Sequence, residues 1–76
     1  MSTQERIVAI IRRVSGKNVT PGPDDELFES GLLDSFALVD VVGELERQFS
    51  IKIPDADLHP RTFASVSRIQ TYVESR

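Results

Sequence analysis

An all-α fold is predicted by three features of this 76-residue chain: a small helical bundle of three main helices plus one short helix, with a long loop between the first and second helices. Apolar residues recur at helical spacing in three separate segments and do not alternate as they would in a half-buried strand. Each segment opens on a Ser or Asp suited to capping a helix start. All but one of the four glycines and four prolines fall between the segments, where they end helices and set turns. A chain of this length makes one domain, residues 1–76, whose single core supplies only a few kcal/mol of net stability.

In the first segment Ile7, Ile10, Ile11 and Val14 stand at i, i+3, i+4 and i+7, and Ser2 with Glu5 has the spacing of a capping box. The helix should end near Gly16, because SGKNVTPGPDD holds two glycines and two prolines. A loop then runs to about Asp34, tethered by Leu27, Phe28, Leu32 and Leu33; loops longer than about 12 residues in small domains are usually functional or disordered. The second helix opens at Asp34 or Ser35 and reaches about Phe49. Leu38, Val41, Val42, Leu45 and Phe49 form its buried stripe, which leaves Phe36 and Val39 on the opposite side with Asp40, Gly43 and Arg47. Two large apolar groups edged with charge suit a docking face. Gly43 costs roughly 1 kcal/mol relative to Ala inside a helix, so either a partner or another backbone approaches closely there. Pro54 and Pro60 leave room for one short helix between them, and Ser65 caps a last helix that buries Val66, Ile69 and Val73, with Tyr72 beside them.

Composition excludes several classes of function. There is no cysteine, so no disulfide framework, thiolate metal site or sulfur redox chemistry belongs to this chain. MSTQERIVAIIRR lacks the apolar run of a signal peptide, and no segment reaches the roughly 20 apolar residues needed to span a bilayer. A cytoplasmic protein without membrane insertion is expected, and the Asn18-Val19-Thr20 sequon is then fortuitous. The net charge of −3 is unevenly spread: Asp24 to Asp57 holds ten acids against Arg47 and Lys52, while the flanking segments are basic. A negative middle repels nucleic acid and favours a basic protein partner, with Glu44 and Asp40 on the docking face.

Ser35, in LFESGLLDSF, is the residue with chemical potential. As a catalytic nucleophile it would need a base, and the single histidine, His59, lies in a short connection beside Pro60. LLDSF also lacks the glycines of a nucleophile elbow, so no catalytic residue is expected and the chain is not an enzyme. Asp24, Asp25 and Glu26 lack EF-hand spacing and no second histidine exists, so no metal site is expected either. Taken alone, Ser35 reads as a helix cap.

LFESGLLDSF, followed by the acidic amphipathic run LVDVVGELERQF, by IKIPD and by the closing helix, resembles the acyl and peptidyl carrier protein family from Ile7 to Val73. The resemblance implies that Ser35 of the Asp-Ser pair receives a 4′-phosphopantetheine arm, whose thiol carries an acyl or aminoacyl cargo as a thioester. It also implies that Asp34 keeps the site open to the modifying enzyme, and that Phe36, Val39, Asp40 and Gly43 face partners. Those partners would be a phosphopantetheinyl transferase, an adenylating or acyl-loading enzyme and a downstream acyl-accepting enzyme of a polyketide, fatty-acid, nonribosomal-peptide or D-alanylation type pathway. Leu33 before the Asp-Ser pair is similar to stand-alone D-alanyl carriers, and a monomer is expected. Phe36 stands where Leu or Met is commoner, and Ser50 where Gly often follows the second helix. The alternative from another class is a non-covalent acidic helical interaction module, which would have the same fold and docking face and no prosthetic group.

Overall fold

A computed structural model describes residues 2–76 as four helical elements: α1 (Thr3–Ser15), α2 (Ser35–Phe49), a 3-10 helix (Asp55–Asp57) and α3 (Val66–Glu74). The sequence-predicted bundle and its long loop are both present. α1 starts on a complete capping box: Glu5 N–H donates to Ser2 Oγ at 3.1 Å and Ser2 N–H donates to Glu5 Oε1 at 3.0 Å. Those hydrogen bonds from Ser2 hold the Glu5 carboxyl below its usual range. The helix ends at Gly16, whose φ of 69° is left-handed and whose N–H donates to Arg12 O. α1 is the central element, packing against both α2 and α3 through Ile7, Ile10 and Ile11.

The loop between α1 and α2 is a packed structure in its own right. Leu27 and Leu33 are buried, Phe28 and Leu32 lean on the core, and Leu33 N–H donates to Leu27 O at 2.9 Å. Two backbone hydrogen bonds tie it to the start of α3: Leu27 N–H to Ala64 O at 2.8 Å and Ser67 N–H to Pro23 O at 2.9 Å. Gly31, at φ 85°, supplies the turn within ESGLL.

In α2 the stripe Leu38, Val41, Val42 and Leu45 is buried as its spacing predicts. Phe49 at its end is only partly buried, with the Arg6 guanidinium 4.1 Å above its ring. Ser50 ends the helix in the left-handed region at φ 54°, and is the one non-glycine residue with positive φ among those described. The segment that follows is drawn back onto α2, since Ile53 N–H donates to Glu46 Oε2 at 2.8 Å and the Ile53 side chain enters the core.

The 3-10 helix buries none of its residues. It is held by Asp57, whose Oδ2 accepts from Tyr72 Oη at 2.6 Å and from Arg76 Nη2 at 2.7 Å. The Arg76 guanidinium also lies over the Tyr72 ring at 4.7 Å, and that ring meets Phe63 edge-on at 5.2 Å. Phe63, which the helical periodicity does not point to, is fully buried and the largest such side chain in the core; its burial is worth roughly 2–3 kcal/mol.

The Tyr72 phenol is pushed above its ordinary 10.0 by burial and by the hydrogen bond to Asp57. The folded state therefore holds this proton more tightly than the unfolded chain, so the stabilisation is complete at neutral pH and is lost as pH rises through 10 toward the folded value. Absorbance titration of the single tyrosine should give a midpoint above 10 that falls in Asp57→Ala. A wild-type midpoint at or below 10 would show that the latch between the 3-10 helix and α3 is absent in solution.

Candidate functional site

The start of α2 settles which residue caps it. Asp34 has extended backbone (φ −113°, ψ −179°), and its Oδ1 accepts from Ala37 N–H at 2.8 Å. Asp34 is thus the N-cap and Ser35 the first helical residue. Ser35 is exposed, and the capping bond leaves its hydroxyl with no structural duty at this helix end.

The remaining sequence-predicted residues lie along the outer side of α2. Phe36 is 87% exposed and Val39 66% exposed, and they are the exposed large apolar side chains of the described residues. Asp40 is exposed one turn beyond Phe36. Glu44 behaves differently from the expectation of a solvent-facing acid. Its side chain is 14% exposed, and its carboxylate accepts from Arg47 Nη1 at 3.0 Å, Gln48 Nε2 at 3.2 Å and, more weakly, Arg13 Nη1 at 3.4 Å. The link to Arg13 of α1 was not legible in the sequence, because nothing in either helix's own spacing joins positions so far apart. It places Arg13 and Val14 beside α2, where together with Val39, Asp40 and Gly43 they line an open groove of about 330 Å³.

Gly43 has no intramolecular reason to be glycine. A Cβ built there meets nothing within 4 Å, so no backbone of this chain packs against it. Of the two reasons the sequence offers, packing of another backbone of the same chain is removed.

Among the described residues no three His, Asp or Glu side chains gather as metal ligands. His59 is exposed on the connection before α3. Among the described residues no helix is long and apolar enough to cross a membrane.

An exposed serine freed from capping, at the positive end of a helix dipole, suits a phosphodiester linkage, since negative charge is favoured in the first turn. The exposed surroundings leave clearance for a bulky arm, and the space over Gly43 adds room along the same helix. The family described as "Phosphopantetheine attachment site" matches residues 5–72. The chain belongs to this phosphopantetheine-binding family of acyl and peptidyl carrier proteins, which hold 4′-phosphopantetheine covalently. Its relatives include the D-alanyl carrier protein of Leuconostoc mesenteroides subsp. mesenteroides, 33% identical over 75 residues that cover 99% of this chain and 96% of the relative. The D-alanyl carrier protein of Leuconostoc citreum is 32% identical over 75 residues, with the same coverage. That of Streptococcus pyogenes serotype M1 is 32% identical over 74 residues, covering 97% of this chain and 94% of the relative.

Because the Gly43 Cβ position is open, Gly43→Ala should stabilise the fold by roughly 0.5–1 kcal/mol through helix propensity alone. Urea unfolding should show a higher midpoint at unchanged slope. A lower midpoint would mean that an intramolecular contact, not seen here, requires the glycine.

Proposed function

We propose that this chain, as a single carrier domain over residues 1–76, takes a phosphopantetheine arm on Ser35 and delivers an acyl or aminoacyl group to partner enzymes in the cytoplasm. The observation that carries this reading is that Asp34, not Ser35, makes the capping hydrogen bond, so an exposed hydroxyl is left over at the motif that the family modifies. A non-covalent interaction module would have no use for that hydroxyl.

In the attachment step Ser35 Oγ bonds to the phosphorus of coenzyme A's pantetheine phosphate and loses its proton to a base of the transferase. The pyrophosphate bond breaks, and 3′,5′-ADP leaves with its electron pair. Once attached, the arm would supply a thiol able to hold cargo as a thioester. This chain supplies position only: a rigid helix end, and an Asp34 carboxylate whose second oxygen remains available toward the transferase and its metal while the first caps α2. Loading and acceptance belong to an adenylating or acyl-loading enzyme and an acyl-accepting enzyme. The names of the relatives make D-alanine the first cargo to test.

Recognition falls to the outer side of α2. Asp40 contributes to the encounter with basic partners, Phe36 and Val39 contribute apolar contact, and Gly43 permits close approach. Glu44 contributes by holding Arg13 and Arg47 at the rim of that face.

Intact-mass measurement after incubation with coenzyme A and a broad-specificity transferase should show one phosphopantetheine on the wild type and none on Ser35→Ala. The variant should keep wild-type helicity, because the cap at Asp34 is untouched. Modification of the Ala variant at the wild-type rate would place the attachment elsewhere.

Val39→Asp should slow modification by roughly fivefold or more at every salt concentration, the effect of losing about 1 kcal/mol of interface contact. Asp40→Lys should slow it chiefly at low salt, where screening is weakest. Wild-type rates for both variants would remove this face of α2 from recognition.

A further inference from the structure

Five of the seven arginines are engaged within the chain: Arg6 donates to Gln48 O, Arg12 to Val19 O and Thr20 Oγ1, Arg13 and Arg47 to Glu44, and Arg76 to Asp57. Arg61 and Arg68 are the exceptions, since both are exposed and neither side chain makes a hydrogen bond or ion pair among the described residues. Both line one groove of about 480 Å³ along α3, a volume within the range of ligand-binding clefts. A guanidinium carries its N–H donors in a fixed fork, so two unspent forks open on the same space.

The rest of the lining has the same polarity. Thr62, Ser67 and Thr71 bring hydroxyls that make no hydrogen bond among the described residues, and His59 joins Arg61 and Thr62 in a second recess. No carboxylate lines either space. Asp57, bonded to the Tyr72 phenol, is already paired with Arg76. The groove beside Gly43 is the contrast, because Asp40 and Glu44 there balance Arg13 and Arg47. In a chain of net charge −3, a lining of cations and hydroxyls without an acid suits an anion. One fork satisfies a carboxylate, whereas a phosphate group has oxygens enough to engage both forks and a hydroxyl. Arg68 also stands in the first turn of α3, where the helix dipole favours negative charge. The acidic stretch from Asp24 to Asp57 repels long polyanions such as nucleic acid, which leaves a compact phosphate group as the match.

We propose that this groove binds a phosphate group between Arg61 and Arg68, carried by a soluble phosphorylated compound or by a lipid headgroup. The groove shares no residue with the outer face of α2, so the phosphate ligand and a partner enzyme docked on α2 are held at the same time. The site stands independently of attachment at Ser35.

The test is titration of inorganic phosphate into the 15N-labelled chain at constant ionic strength, with chloride as the balancing anion. The Nε–H signals of Arg61 and Arg68 should shift saturably, and the amides of Thr62, Ser67 and Thr71 should move with them. The double variant Arg61→Gln/Arg68→Gln should bind phosphate about tenfold or more weakly, as expected for the loss of charge-assisted hydrogen bonds. It should still take phosphopantetheine from coenzyme A at the wild-type rate. Flotation with phosphatidylcholine vesicles, with and without phosphatidylglycerol, separates the two sources. Binding to the anionic vesicles that the double variant loses assigns the phosphate to a headgroup, and phosphate shifts without vesicle binding assign it to a soluble compound. Shifts that are absent, spread equally to Lys17 and Lys52, matched by acetate, or unchanged in the double variant overturn the site. A double variant that is modified slowly overturns the independence of the groove from the α2 face. Should the double variant fail to fold, Thr71→Val decides: weaker phosphate binding supports the groove, and unchanged binding overturns it.

Discussion

One hydrogen bond, from the Ala37 amide to the Asp34 carboxylate, sets the register on which the site depends. By fixing Asp34 as the cap it makes Ser35 the first residue of α2. At 3.6 residues per turn, the angular position of every later side chain is then determined. Leu38, Val41, Val42 and Leu45 turn inward onto α1 and the core, and Phe36 and Val39 turn to solvent. Starting the helix one residue later would hand the cap to Ser35 and use its hydroxyl for stability. Asp and Ser are about equally good caps, so the adjacent pair works because the acid takes the structural duty and leaves the alcohol for chemistry.

The cap would be of little use on a loosely held helix, and the loop before it supplies the other half of the positioning. Seventeen residues without a helix of their own separate Gly16 from Asp34, yet Leu27 is fully buried and bonded through its amide to Ala64. Ser67 reaches back to Pro23 from the first turn of α3. The loop is therefore fastened to α3 while α1 packs on both other helices. Ser35 sits at the end of a segment fixed by three helices, although its own side chain touches none of the core.

Much of this was legible in the sequence, because caps and stripes are local. Ser2 with Glu5, Gly16 and Ser65 are read within one turn, the cap of α2 is narrowed to Asp34 or Ser35, and the buried faces of all three helices follow from spacing. What escaped is nonlocal. Phe63 lies outside every helical period, and its burial depends on Tyr72 and on the loop around Leu27. Ile53 goes inward because Glu46, seven residues earlier, accepts its amide. Phe49 continues the stripe of α2 in sequence but packs only partly against the core, with the Arg6 guanidinium over its ring. Glu44 looked like one more surface acid until the packing of α1 brought Arg13 to it.

The same pairings reshape the charge distribution in a way the sequence totals conceal. Between Asp24 and Asp57 the chain counts ten acids against two bases. Glu44 is engaged by Arg13 and Arg47, and Asp57 by Arg76, with Arg13 and Arg76 coming from outside that segment. Both neutralised acids lie toward the C-terminal half of the acidic stretch. The acids without an ion pair among the described residues include Asp24, Asp25, Glu26 and Glu29 of the loop, and Asp34 and Asp40 in the first half of α2. The last two flank Ser35 in sequence, Asp34 directly before it and Asp40 about one and a half helical turns after it. Folding thus concentrates a diffuse negative stretch at the end of the helix where a basic partner must find the serine. The groove farther along the same helix, balanced by Arg13 and Arg47, is left electrically quiet.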